Sequence, residues 1–214
     1  MDLLSSLNPE QQAAVLQTEG PILILAGAGS GKTRVIAHRI AHLVSADICP
    51  PDRVLAVTFT NKAAEEMRTR VETLLGVDCR QMWISTFHAL CARLLRREGP
   101  HVGLSRDFVI YDSTDQLTLI KHAMRQLGID DAAVQSRLAL SRISHAKNRM
   151  EGPEILAANA WNSRDQQIGT LYVMYLKALA DANALDFDDL LLKTVELFEK
   201  SEDVPQVCSP PFVD

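Results

Sequence analysis

Apolar and polar positions alternate between two rhythms along the first hundred residues. Residues 21–26, "PILILA", form a short unbroken apolar run followed by glycine, the pattern of a strand buried on both faces. Residues 31–46 then place Val35, Ile36, Ile40 and Leu43 at helical spacing. The same pair recurs twice. "RVLAVTF" (53–59) precedes "NKAAEEMRTRVETLLG" (61–76), and "QMWISTF" (81–87) precedes "HALCARLLRREG" (88–99), each helical run closing on glycine. Three strand–helix alternations predict right-handed crossovers and a parallel sheet with helices on its faces.

Beyond a further strand-like run, "FVIYD" (108–112), the pattern turns helical. Helices are expected over 113–128, within 131–149, over 164–183 and over 186–200, with Ser113 and Asp186 as N-caps. Leu117, Ile120, Leu171, Tyr172, Tyr175, Leu179, Leu190 and Leu191 fall on apolar stripes and are expected in a core. The expected fold class is therefore α/β with an inserted all-helical subdomain. The expected domains are an α/β unit over 1–100, a helical subdomain over 101–205, and a short final segment over 206–214.

Composition narrows the class. An apolar fraction of 47% and a charged fraction of 23% are those of a globular protein. No run approaches the ~20 apolar residues of a membrane helix, and "MDLLSSLNPEQQ" has no basic leader followed by an apolar core. Cys49, Cys79, Cys91 and Cys208 are scattered without a Cys-x-x-Cys pair, which suits a reducing cytoplasm better than a zinc or disulfide framework. The net charge of −5 hides an asymmetry: residues 31–100 carry 11 Lys/Arg against 7 Asp/Glu, and residues 151–214 carry 4 against 12. A phosphate-bearing partner on the first half is compatible with that distribution.

The candidate chemistry sits between the first run and the first helix. Ala26, Gly27, Ala28, Gly29, Ser30, Gly31, Lys32 and Thr33 fit the phosphate-loop pattern G-x-x-x-x-G-K-[ST], with alanine in place of the first glycine. Glycines let the backbone N–H groups face anionic oxygens, and the helix that follows presents its positive end to them. Lys32 is expected to bridge the β- and γ-phosphates and Thr33 to ligate Mg²⁺.

The surrounding blocks resemble the UvrD/Rep/PcrA family of superfamily 1 DNA helicases. "LNPEQQAAV" (7–15) resembles its Q motif, "AGAGSGKTR" (26–34) motif I, "AVTFTNKAAEEM" (56–67) motif Ia, and "WISTFHALCARLLR" (83–96) motif Ib. "DFDDLL" (186–191) resembles a block near the end of the family's helical insertion. The resemblance implies a RecA-like P-loop motor domain with ATP and Mg²⁺ as cofactors. It implies 3′–5′ translocation in DNA repair or replication restart, with single-stranded DNA and single/double-strand junctions as partners.

It also implies roles for individual residues. Gln11 reads adenine, with Gln12 as the alternative one register away, and Arg34 lies near the base or ribose. Phe59, Thr60, Asn61 and Lys62 face DNA, and Thr86 and His88 touch its backbone. Read as chemistry alone, Phe59 suits either a stacking surface or the last core position of its strand, and Arg93, Arg96 and Arg97 suit either an extended phosphate track or, more commonly for such a cluster, a solvated helix face. Asp186, Asp188 and Asp189 read as helix-start acids rather than a metal site.

The family's motif II supplies an Asp-Glu pair for Mg²⁺ and water. Asp214 lies near the expected aspartate, but no glutamate follows it. The expectation is thus the N-terminal part of an ATP-dependent helicase, inactive in turnover by itself. Two alternatives are a non-catalytic module that binds ATP or single strands and a phosphate-loop kinase of small substrates.

Overall fold

The computed structural model describes residues 3–27 and 29–200. Its elements run α1 (Pro9–Leu16), α2 (Lys32–Ser45), β1 (Leu55–Thr58), α3 (Asn61–Leu75), β2 (Trp83–Thr86) and α4 (Phe87–Glu98). There follow β3 (Val109–Ile110), α5 (Ser113–Leu127), α6 (Ser136–Asn148), α7 (Pro153–Ala158), α8 (Ser163–Asp181), β4 (Ala184–Leu185) and α9 (Phe187–Lys200). The result is a mixed α/β, helix-rich chain. It divides into two units, Met1–Leu90 and Cys91–Asp214, with the division inside α4.

In the first unit, β1 and β2 pair in parallel, with Thr58 opposite Thr86 at their C-terminal ends. Ala37 and Ile40 of α2, Met67 and Val71 of α3, and Ala56 and Ile84 of the strands form one buried cluster. A second cluster joins Leu7, Val15 and Val35, so α1 packs on the start of α2. Helix ends follow local chemistry. Gly76 takes φ 69° as the C-cap of α3, a left-handed conformation that suits glycine.

The expected buried strand at 21–26 is not formed. Residues 21–27 have no regular structure, and Leu23 and Leu25 are 81% and 86% exposed. A strand exists only through hydrogen bonds to a neighbour. Among the described residues the only pairings are β1 with β2 and β3 with β4. The apolar run reports what the segment is suited to, and periodicity carries no information about where its partner lies.

The second unit is built on two clusters. Ile120, Ile143, Ile168, Leu171, Tyr175 and Leu179 anchor one. Cys91, Leu95, Phe108, Leu185, Leu190 and Leu197 anchor the other. Leu117 and Leu191 are only half-buried. The helical stretch also holds a short parallel pairing, Val109 with Ala184 and Ile110 with Leu185, too brief to show as a period.

The N-cap of α5 is Asp112, one residue before the expected Ser113. Its carboxylate accepts from the N–H groups of Thr114 and Asp115 at 2.7 and 3.0 Å. Two charge-assisted bonds outcompete a serine hydroxyl. Helix α7 has no counterpart in the expected elements. Here Pro153 takes the first helical position, where its missing N–H is harmless.

Candidate functional site

The phosphate-loop segment leads into α2 through two glycines in the left-handed region, Gly29 at φ 77° and Gly31 at φ 85°. Gly31 is the N-cap of α2 and leaves the first turn without a side-chain acceptor. A 14-residue helix thus starts with free N–H groups and a positive end, which suits an anion. Thr33 lies half-buried in that turn, and Lys32 is exposed. The Lys32 ammonium donates to the carbonyls of Ala26 and Gly27 at 2.8 and 2.6 Å. Ser30 Oγ donates to the Gly27 carbonyl at 2.7 Å. The loop's cation and hydroxyl thus bond the loop's own carbonyls. Ala28 and Asp214 lie outside the described residues.

Gln11 meets this loop from α1. Its Nε2 donates to the Ser30 carbonyl at 3.0 Å, and its Oε1 accepts from the Asn8 N–H at 3.2 Å. The second bond is half of a capping box, in which the Asn8 side chain accepts from the Gln11 N–H. Gln12 turns the other way and donates to the carbonyls of Leu4 and Leu7. Of the two amides, Gln11 is the one beside the loop. Arg34 donates to the Ser6 carbonyl, which ties α2 to the N-terminal turn.

A second group gathers at the C-terminal ends of β1 and β2, the edge where open parallel sheets receive ligands. Each strand runs directly into a helix. Thr60 Oγ1 accepts from the Ala63 N–H at 3.2 Å and caps α3, and Thr86 Oγ1 accepts from the Ala89 N–H at 3.3 Å at the start of α4. Both hydroxyls are therefore engaged locally, and Thr86 is buried. Asn61 and Lys62 are exposed at the start of α3, with the Lys62 ammonium 4.0 Å from Glu66 Oε1. His88 is half-buried on α4. Phe59 is 90% exposed, so it is not a core residue.

Phe87, not among the expected site residues, lies beside Phe59. A Thr-Phe pair at the end of each strand, Thr58-Phe59 and Thr86-Phe87, is the local signal that marks it, although only the strand register brings the two rings together. Arg96 is taken up elsewhere, its guanidinium 4.6 Å over the Phe108 ring and bonded to the Arg106 carbonyl.

Asp186 and Asp189 do what helix-start acids do. The Asp189 N–H donates to Asp186 Oδ1 at 2.9 Å and the Asp186 N–H donates to Asp189 Oδ2 at 3.2 Å, a reciprocal cap on α9. Both also accept from Lys147, a buried lysine that helical spacing alone gave no reason to single out. No cluster of three or more potential metal ligands exists among the described residues.

Comparison with known proteins gives these features a common context. Residues 7–212 match the UvrD/REP helicase N-terminal domain. The chain belongs to that family. It is 47% identical over 205 residues to the ATP-dependent DNA helicase PcrA of Bacillus subtilis, covering 96% of this chain and 27% of the relative. It is 46% identical over 198 residues to the Staphylococcus epidermidis PcrA, covering 92% and 27%. The Staphylococcus aureus PcrA is 45% identical over 205 residues, covering 96% and 28%. The chain thus spans little more than a quarter of the relatives it matches. Among its described residues no helix is long and apolar enough to cross a membrane.

Proposed function

We propose that this chain is the first motor segment of an ATP-dependent DNA helicase, with a RecA-like P-loop domain over 1–100 and a helical insertion over 101–205. The observation that carries the reading is the glycine-lined entry to α2, with Lys32 and Thr33 at an uncapped helix start and Gln11 against the loop. A triphosphate bound there draws Lys32 off the Ala26 and Gly27 carbonyls onto the β- and γ-phosphates. Gln11 exchanges its bond to Ser30 for the adenine edge, and Arg34 faces the base or ribose. Ala26, Gly27, Ala28, Gly29, Ser30 and Gly31 supply the cradle. Thr33 and Asp214 are the residues that would hold Mg²⁺, which would neutralise phosphate charge.

The β1 and β2 ends form the proposed face for single-stranded DNA, with Phe59 as the stacking surface and Asn61, Lys62, Thr86 and His88 along the sugar-phosphate chain. The surplus of basic residues over 31–100 favours that partner. Translocation in the 3′–5′ direction, at junctions met in repair or replication restart, is the role proposed for the whole enzyme.

The test is Lys32→Ala in a protein carrying this chain within the complete helicase. DNA-stimulated turnover should fall by at least ~100-fold, as expected when a transition-state phosphate contact is lost, and Mg·ATP affinity should fall with the lost ground-state contact. Unchanged affinity and turnover would sink the reading. A non-catalytic role is favoured instead if nucleotide and single strands bind but turnover is absent in the complete protein.

A further inference from the structure

Phe59 and Phe87 each directly follow the last residue of one of two neighbouring strands. β1 and β2 are parallel and in register, with Thr58 opposite Thr86. Phe59 follows Thr58 and Phe87 follows Thr86, so the two rings leave the sheet side by side. Their centroids are 5.7 Å apart and their planes are inclined by 45°, a tilted aromatic contact.

The two rings are not held alike. Phe59 is 90% exposed and therefore gains little from burial, whereas Phe87 is 41% exposed. Phe87 also stands in the first turn of α4, whose start is fixed by the Thr86 cap. An almost bare phenyl ring has rotamers to choose among, and fixing one of them on binding weakens affinity. A neighbouring ring in tilted contact restricts the choice before ligand arrives. It leaves the opposite face of Phe59 open.

We infer that Phe87 is a positioning residue for Phe59, holding its ring preorganised to receive the face of an unpaired nucleobase of any identity. The inference rests on the reading that Phe59 faces DNA. Phe87 acts through Phe59 and does not itself stack on the base.

The test uses the complete helicase carrying this chain and a fluorescein-labelled oligo-dT, with affinity read by anisotropy. Phe87→Leu keeps an apolar side chain and removes the ring. It should weaken binding by about 3- to 10-fold, the penalty of one newly mobile side chain. Phe87→Tyr restores a ring and should bind within about twofold of the parent. The Phe59→Ala, Phe87→Leu double variant should bind no more weakly than Phe59→Ala alone, because the second ring has nothing left to position. An abasic oligonucleotide should not distinguish Phe87→Leu from the parent, and Mg·ATP affinity should be unchanged in every variant.

Two results overturn the inference alone: Phe87→Leu binding like the parent while Phe59→Ala is weakened, or Phe87→Leu having the same effect in both backgrounds. Phe59→Ala binding oligo-dT like the parent overturns the DNA-facing reading of Phe59, and the inference with it.

Discussion

The ammonium of Lys147 lies 2.7 Å from Asp186 Oδ2 and 2.8 Å from Asp189 Oδ1, with its side chain 1% exposed. One cation thus ties the C-terminal turn of α6 to the first turn of α9. Tyr175 donates its hydroxyl to Asp186 Oδ2 at 2.8 Å, which completes a buried polar cluster inside an apolar core. Such a cluster holds only while every member is partnered. Burial and the adjacent carboxylates push the Tyr175 hydroxyl well above its ordinary range, so it remains a donor.

Lys147→Met should therefore destabilise the second unit by about 3–5 kcal/mol, the range for breaking a buried pair from one side. The loss should depend on pH. Burial already holds the Asp189 carboxyl above the usual range, and Lys147 works against that shift. Without Lys147 the folded variant keeps a proton on Asp189 at pH values where the unfolded chain has released it. Stability then falls as pH rises above the unfolded carboxylate's ~3.9 and recovers as pH is lowered toward it. Urea denaturation at pH 5 and pH 7.5 should show a smaller penalty at pH 5. A penalty identical at the two values would contradict this charge arrangement.

Gln11 and Gln12 differ in direction, and their alanine variants should differ in consequence. Gln11→Ala should weaken Mg·ATP by roughly 5- to 30-fold, the equivalent of one lost hydrogen-bonding amide, while leaving GTP nearly unaffected. Gln12→Ala removes bonds to the Leu4 and Leu7 carbonyls and should lower thermal stability without changing the preference for ATP. Fluorescent-nucleotide competition separates the two outcomes.

Gly31 holds a backbone conformation that strains any side chain. Its φ is 85°, and a Cβ there would meet Gln11 Nε2 at 3.1 Å. Gly31→Ala should destabilise the loop by about 1–3 kcal/mol through backbone strain and displace Gln11 as well. Nucleotide affinity should drop further than in Gln11→Ala. Equal affinities in the two variants would show that the loop tolerates the added methyl.

Lys62 is exposed and only distantly paired with Glu66. If it meets a phosphate, Lys62→Ala should weaken single strands of different sequence alike. The slope of log affinity against log salt should fall in magnitude by about 0.7, the value for one contact on a single strand. A salt titration of oligonucleotide binding that gives the parent's slope would remove Lys62 from the interface.

What the sequence made legible follows the range of the interactions involved. The caps at Gly76 and Asp186 and the helical stripes are local, and they stand where spacing put them apart from Leu117 and Leu191, which are half-buried. Burial of 21–26 depended on a distant strand, and no periodicity names a partner. Lys147 was invisible for the same reason, since its partners lie 39 and 42 residues away. The pairing of Phe59 with Phe87 needed the register of β1 on β2, which only a three-dimensional structure supplies. The placement of Asp112 over Ser113 was a near-neighbour competition, decided by a carboxylate accepting two N–H bonds where a hydroxyl would accept one.

The bare run at 21–27 has a practical consequence. Leu23 and Leu25 face outward along a backbone whose amides and carbonyls are unmatched by any strand. Such a ribbon is adhesive, and another copy of it is the nearest complementary surface. A single charge there, as in Leu23→Lys, should therefore raise the concentration at which the 214-residue polypeptide begins to scatter light and leave its helical circular dichroism unchanged.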